Sequence, residues 1–77
     1  MKHHVSIQFF ATLTKFTPPN HQNYPVDDGA TVMDILTELN VPVDDIRLVF
    51  VNGVKGEFSS ILREGDRIGV FPPVGGG

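Results

Sequence analysis

The chain has 77 residues, 40% of them hydrophobic, six of them phenylalanine and none of them cysteine. One small domain held by an apolar core follows, and disulfides and thiolate zinc sites are excluded. The formal charge of −3 leaves no basic stripe for nucleic acid, no run approaches the roughly 20 apolar residues that span a bilayer, and "MKHHVSIQFF" lacks the apolar region of a signal peptide, so a cytoplasmic location is expected.

In chain order, "HVSIQFF" alternates, with Val5, Ile7 and Phe9 on one face and Ser6 and Gln8 on the other, as in a half-buried strand. "TKFTPPNHQN" carries adjacent prolines and reads as a loop. "NYPVDDG" is a short second strand, and Pro25, which has no N–H to give, predicts that it lies at a sheet edge. "GATVMDILTELN" is the helix. Thr31 is its cap with Asp34 three residues on, and Val32, Ile35, Leu36 and Leu39 form one apolar stripe. Asn40 suits the left-handed residue after the helix, and Pro42 ends the segment.

"IRLVFVNG" is a strand that is apolar on both faces, closed by an Asn52–Gly53 hairpin turn, and "VKGEF" returns. "SSILREGD" is a connection in which Ile61 and Leu62 are expected to plug the core and Gly65 to bend the chain. "RIGVF" is the last strand. The order β-β-α-β-β-β predicts an α+β β-grasp fold, with one helix on a mixed four- to five-stranded sheet. The first and last strands would run parallel at the centre of that sheet, and one sheet face would be left partly bare.

Side chains for catalysis are hard to find. His3 and His4 point to opposite faces of a strand and His21 sits in a loop, so the three histidines read as solvated. Asp27–Asp28 and Asp44–Asp45 read as loop acids flanking the helix. No nucleophile elbow, phosphate loop or metal-ligand spacing occurs. The apolar strands are more informative. If Leu48, Phe50, Ile68 and Val70 face the helix, then Val49, Val51 and Phe71 form an apolar patch on the bare face, with Phe10 beside it. Such a patch on a small domain marks a partner surface.

The domain is expected over residues 1–71, and residues 72–77 form a flexible tail, "PPVGGG". Pro72 and Pro73 end sheet pairing and extend the chain. Val74 is followed by Gly75, Gly76 and Gly77, a thread without side chains that reaches about 20 Å. Such a thread could carry one terminal carboxylate into a narrow channel of another protein.

"FFATL", "GATVMDIL", "VNG" and "REGDRIGVFPPVGGG" together resemble the ubiquitin-like sulfur carrier family. The resemblance is to MoaD, the small subunit of molybdopterin synthase, more than to the thiamine carrier ThiS. It covers nearly the whole chain, and the Pro-Pro-x-x-Gly-Gly ending is its most specific motif. The triple glycine departs from the small or polar residue that commonly precedes Gly-Gly in MoaD-like tails. The resemblance implies that the Gly77 carboxylate is the working group and that this chain alone is a carrier with no catalysis of its own. A MoeB/ThiF-type enzyme would adenylate Gly77 with ATP and Mg²⁺. A sulfurtransferase persulfide would then give a thiocarboxylate, and a MoaE-like large subunit would pass the sulfur to a pterin. A carrier for thiamine or another metabolite, a ubiquitin-like protein modifier, and a plain interaction module are the alternatives. Neither nucleic acid nor membrane is expected as a partner.

Overall fold

The computed structural model describes residues 2–73. Five strands form one sheet in the order β2-β1-β5-β3-β4: β1 (Lys2–Phe9), β2 (Tyr24–Asp27), β3 (Leu48–Val51), β4 (Val54–Lys55) and β5 (Arg67–Phe71). The strands β1 and β5 pair in parallel, and every other pair is antiparallel. This is the mixed sheet of a β-grasp fold, with the chain's first and last strands joined near its middle. The β2 strand lies at an edge, where the missing N–H of Pro25 costs no ladder bond.

The helix α1 (Val32–Glu38) starts as its sequence dictates. The Thr31 hydroxyl accepts from Asp34 N and the Asp34 carboxylate accepts from Thr31 N, a reciprocal capping box. Val32, Ile35 and Leu36 are buried, and Leu39 packs against the core from a half-buried position. Asn40 adopts φ 61° beyond the helix, a conformation its short polar side chain tolerates. At the β3–β4 hairpin Asn52 (φ 56°) and Gly53 (φ 81°) both lie in the left-handed region, as a two-residue turn of this hand requires.

Two 3-10 helices, Ala11–Phe16 and Val43–Asp45, were not visible in the pattern. Residues 14–16 of the first were expected as loop, yet the segment is helical and buries Leu13. A segment of about two turns offers too few residues for a helical period to register. In the connection before β5, Leu62 plugs the core but Ile61 is 59% exposed. Ile61 forms a bridge with Thr31, and adjacent residues in extended backbone point opposite ways, so only one of the two can enter.

The core lies between α1 and one sheet face. It holds Val5, Ile7 and Phe9 of β1, Val26 of β2, Val49 of β3, and Ile68 and Val70 of β5. The register corrects the expectation for β3. Val49 stands opposite Val70 and Val51 opposite Ile68, and directly opposed residues share a face. Val49 is therefore 4% exposed, and Val51 is half-buried against the core. Neither lies on the bare face, where the sequence reading had placed them. Phe71 and Gly69 lie on that face, as the alternation of β5 predicts, and Phe50 joins them there in place of Val49 and Val51. Pro72, expected as the first residue of the tail, is buried, whereas Pro73 is exposed.

Candidate functional site: the open sheet face

The face of the sheet away from α1 is organised in rows across the strands. One row runs Gln8, Gly69, Phe50, Lys55 through the β1, β5, β3 and β4 pairings. A second joins Leu48 to Phe71. Phe10 follows β1 directly, and its N–H donates to the Val70 carbonyl (3.1 Å), which holds it against β5. Its ring lies flat on that of Phe71, with centroids 4.1 Å apart and planes 4° from parallel. Phe71 in turn meets Phe50 edge-on at 5.4 Å and 90°. Each such pair adds about 0.5–1.5 kcal/mol beyond area burial.

Gly69 leaves a gap among these rings. A Cβ there would lie 3.5 Å from both Phe10 Cε2 and Phe71 Cε1. The gap is the floor of an open depression of about 410 Å³ lined by the three phenylalanines, Gln8 and Arg67. The three phenylalanines and Gly69 are half-buried, Gln8, Gly53 and Arg67 are exposed, and no carboxylate is among the described residues that line it.

Phe10 and Phe71, named from the sequence as patch residues, thus meet on the open face, and Phe50 completes the cluster with them. Phe50 was missed as a surface residue because Leu48–Val51 is apolar on both faces. The signal that could have found it is Gly69, which alternation in β5 places on the open face with Phe71: a strand face bearing glycine beside phenylalanine leaves a gap that a large residue on the next strand fills. The remaining expected site residues, Val74, Gly75, Gly76 and Gly77, lie outside the described residues. Phe71 is the end of β5, and its carbonyl accepts from Arg47 N (2.8 Å), so pairing continues to the last residue before the prolines. The sheet pairing therefore ends beside the aromatic cluster.

A second depression lies between β2 and α1 and is rimmed by Asp27, Asp28, Asp34 and Glu38. Its carboxylates are engaged within the fold. Asp27 holds Lys2 Nζ at 2.7 Å, which keeps the Asp27 carboxyl below its ordinary range. Asp28 meets His3 Nε2, Asp34 closes the helix cap, and Glu38 accepts from the Tyr24 hydroxyl. Burial first, and then the Glu38 hydrogen bond and charge, push the Tyr24 phenol up to about 12. Among the described residues no group of three or more His, Cys, Asp or Glu is placed to hold a metal ion. Among those residues, too, no helix is long and apolar enough to cross a membrane.

The sequence model of the Mut7-C ubiquitin family matches residues 2–75. Small archaeal modifier protein 3 of Haloferax volcanii is 32% identical over 90 residues, covering 95% of this chain and 98% of that protein. Among solved structures, a putative molybdopterin converting factor subunit 1 from Pyrococcus furiosus superimposes with a TM-score of 0.73 at 25% identity, covering 94% of this chain and 99% of the other. Small archaeal modifier protein 1 of H. volcanii does so with a TM-score of 0.66 at 28% identity and the same two coverages, 94% and 99%.

Proposed function

Because the chain belongs to the Mut7-C ubiquitin family, we propose that it is a ubiquitin-like sulfur carrier whose working group is the carboxylate of Gly77. A carboxylate resists nucleophiles at neutral pH and must first be activated. A MoeB/ThiF-type enzyme, using ATP and Mg²⁺, lets a Gly77 carboxylate oxygen attack the α-phosphorus of ATP and expels pyrophosphate. The terminal sulfur of a sulfurtransferase persulfide then attacks the acyl carbon and expels AMP. A donor thiol closes a disulfide with the remaining sulfur, which releases the thiocarboxylate. A MoaE-like large subunit takes up the tail and passes the sulfur to a pterin, building molybdopterin.

The observation that carries this reading is the position of the tail's root. Phe71 is at once the last residue of β5 and the centre of the open aromatic cluster. A partner that docks on the cluster holds the Gly77 end within tail length of its own active site, so proximity replaces tight binding of the thread. The structural similarity to a putative molybdopterin converting factor subunit supports the pterin pathway.

A second reading has its own support. The relative at 32% identity is named a modifier protein, and an adenylated Gly77 that met a lysine amine in place of sulfur would form an isopeptide bond with loss of AMP. Intact mass spectrometry after incubation with the cognate adenylating enzyme, ATP and a sulfur donor tests the first reading. Replacement of one oxygen by sulfur, abolished by deleting Gly77, is the expected result, and an unchanged mass sinks it. Ladders of larger conjugates in cells that vanish with the same deletion would favour the modifier.

A further inference from the structure

Asn52 precedes Gly53 at the tip of the β3–β4 hairpin, and both residues are exposed. Of the four asparagines it alone is followed by glycine; Asn20, Asn23 and Asn40 are followed by His21, Tyr24 and Val41. The backbone nitrogen after an asparagine can attack the side-chain amide carbon, and a side chain on that next residue hinders the approach. Glycine removes the hindrance. Nothing beyond its chain neighbours lies within 4 Å of where a Cβ on Gly53 would stand. The Gly53 N–H makes no backbone hydrogen bond among the described residues. The nucleophile is therefore open, whereas the amide it would attack is held. Asn52 Oδ1 accepts from Arg67 N (3.0 Å), and Asn52 Nδ2 donates to Asp66 Oδ1 (2.9 Å). Asn52 N also donates to the Arg67 carbonyl (2.7 Å), so the side-chain amide adds one more rung to the β3–β5 ladder. Asp66 is fixed in turn, since its other oxygen accepts from Arg63 N (2.9 Å).

From this we infer that Asn52 is a site of spontaneous deamidation, that its contact with Asp66 and Arg67 holds the reaction in check, and that the completed reaction unfastens the hairpin from β5. In the reaction the Gly53 nitrogen loses its proton and bonds to Asn52 Cγ. The bond from Cγ to Nδ2 breaks, ammonia leaves with that proton, and a succinimide ring closes. Water, the only co-reactant, then opens the ring at either carbonyl and leaves aspartate or isoaspartate at this position. Attack on Cγ needs the amide to turn from β5 toward its own following peptide, so the side-chain bonds must first open locally. The product cannot refasten. Aspartate lacks the Nδ2 donor and sets a carboxylate against Asp66 Oδ1, where like charges repel. Isoaspartate also adds a carbon to the backbone of the turn, which disturbs the register of Val54 against Val51.

Deamidation of the full chain is followed at mildly alkaline pH by peptide mapping around Asn52, with the urea-unfolded parent setting the upper rate. The folded parent should react at least about tenfold more slowly, because the side chain must open first. Asp66→Ala should raise the folded rate about tenfold, the factor expected for a lost hydrogen bond to a charged group. Asp66→Asn keeps an acceptor for Nδ2 and should stay near the parent. Equal rates in the folded and unfolded parent overturn the inference. So does a folded Asp66→Ala protein that reacts no faster than the parent, which would make Asp66 a base that assists the attack. If Asp66→Ala reaches the unfolded rate because it fails to fold, the product state decides. Asn52→Asp should then melt several degrees below Asn52→Gly, which keeps the turn and adds no charge, and the gap should narrow in high salt. Equal midpoints for those two variants overturn the inference as well.

Discussion

Phe10 and Phe71 come from opposite ends of the described chain and lie with their rings parallel at 4.1 Å. The parallel pairing of β1 with β5 makes this contact, because it sets Phe9 beside Val70 and so brings the next residue of each strand together. The pair ties the aromatic surface to the root of the tail. Phe71→Ala removes the ring that both neighbours touch. It should cost about 1–3 kcal/mol of stability for the two ring pairs lost and weaken partner binding at least about tenfold. Val49 behaves oppositely. It is buried in the core, so Val49→Asp, which buries a carboxylate, should unfold the domain. Urea titration of the two variants decides the assignment of faces; a folded Val49→Asp variant would show it to be wrong.

Gly69 has ordinary strand backbone, and an added Cβ would meet two ring atoms at van der Waals distance. Gly69→Ala should therefore fold at least as well as the parent, with a gain of up to about 1 kcal/mol from the reduced freedom of the unfolded chain. Gly69→Leu should fill the depression and block partner binding while the fold remains. Thermal midpoints and calorimetric titration on the same samples measure both effects. Undiminished binding by the leucine variant would mean that partners do not use the depression.

The capping box at α1 predicts a stability effect remote from the open face. Thr31→Ala deletes the hydroxyl that accepts from Asp34 N and should cost about 1 kcal/mol. Asp34→Ala deletes the reciprocal bond to Thr31 N. The double variant should cost less than the sum of the two single ones, since each bond holds the geometry of the other. Strict additivity in denaturant titrations would count against the box acting as a unit.

Tyr24 is the only tyrosine, so its ionisation can be followed by absorbance. Its phenol is raised from 10.0 to about 12. Between these values the folded state keeps a proton that the unfolded chain has lost, so stability is fully present below about pH 10 and falls as the pH rises toward 12. Glu38→Gln removes the acceptor's negative charge and should move the transition down, but not back to 10.0, because burial is the larger cause. A transition near the ordinary value in the parent protein would contradict the packed, hydrogen-bonded phenol.

The sequence by itself determined what depends on local order. The cap at Thr31, the left-handed residues Asn40 and Asn52 and the edge position of β2 were all legible, because each is set by a side chain acting on its own or neighbouring backbone. Alternation also fixed the faces of β5, where glycine and phenylalanine contrast with Ile68 and Val70. It could not fix those of β3, since Leu48, Val49, Phe50 and Val51 offer apolar surface on both sides. Only the pairing of Val49 with Val70 decided which side meets the helix. Pairing is a relation between segments far apart in the chain, and a slip of one residue would exchange core for surface along the whole strand. The same holds for Ile61 and Leu62, of which only Leu62 enters the core, and for Leu13 under its short helix.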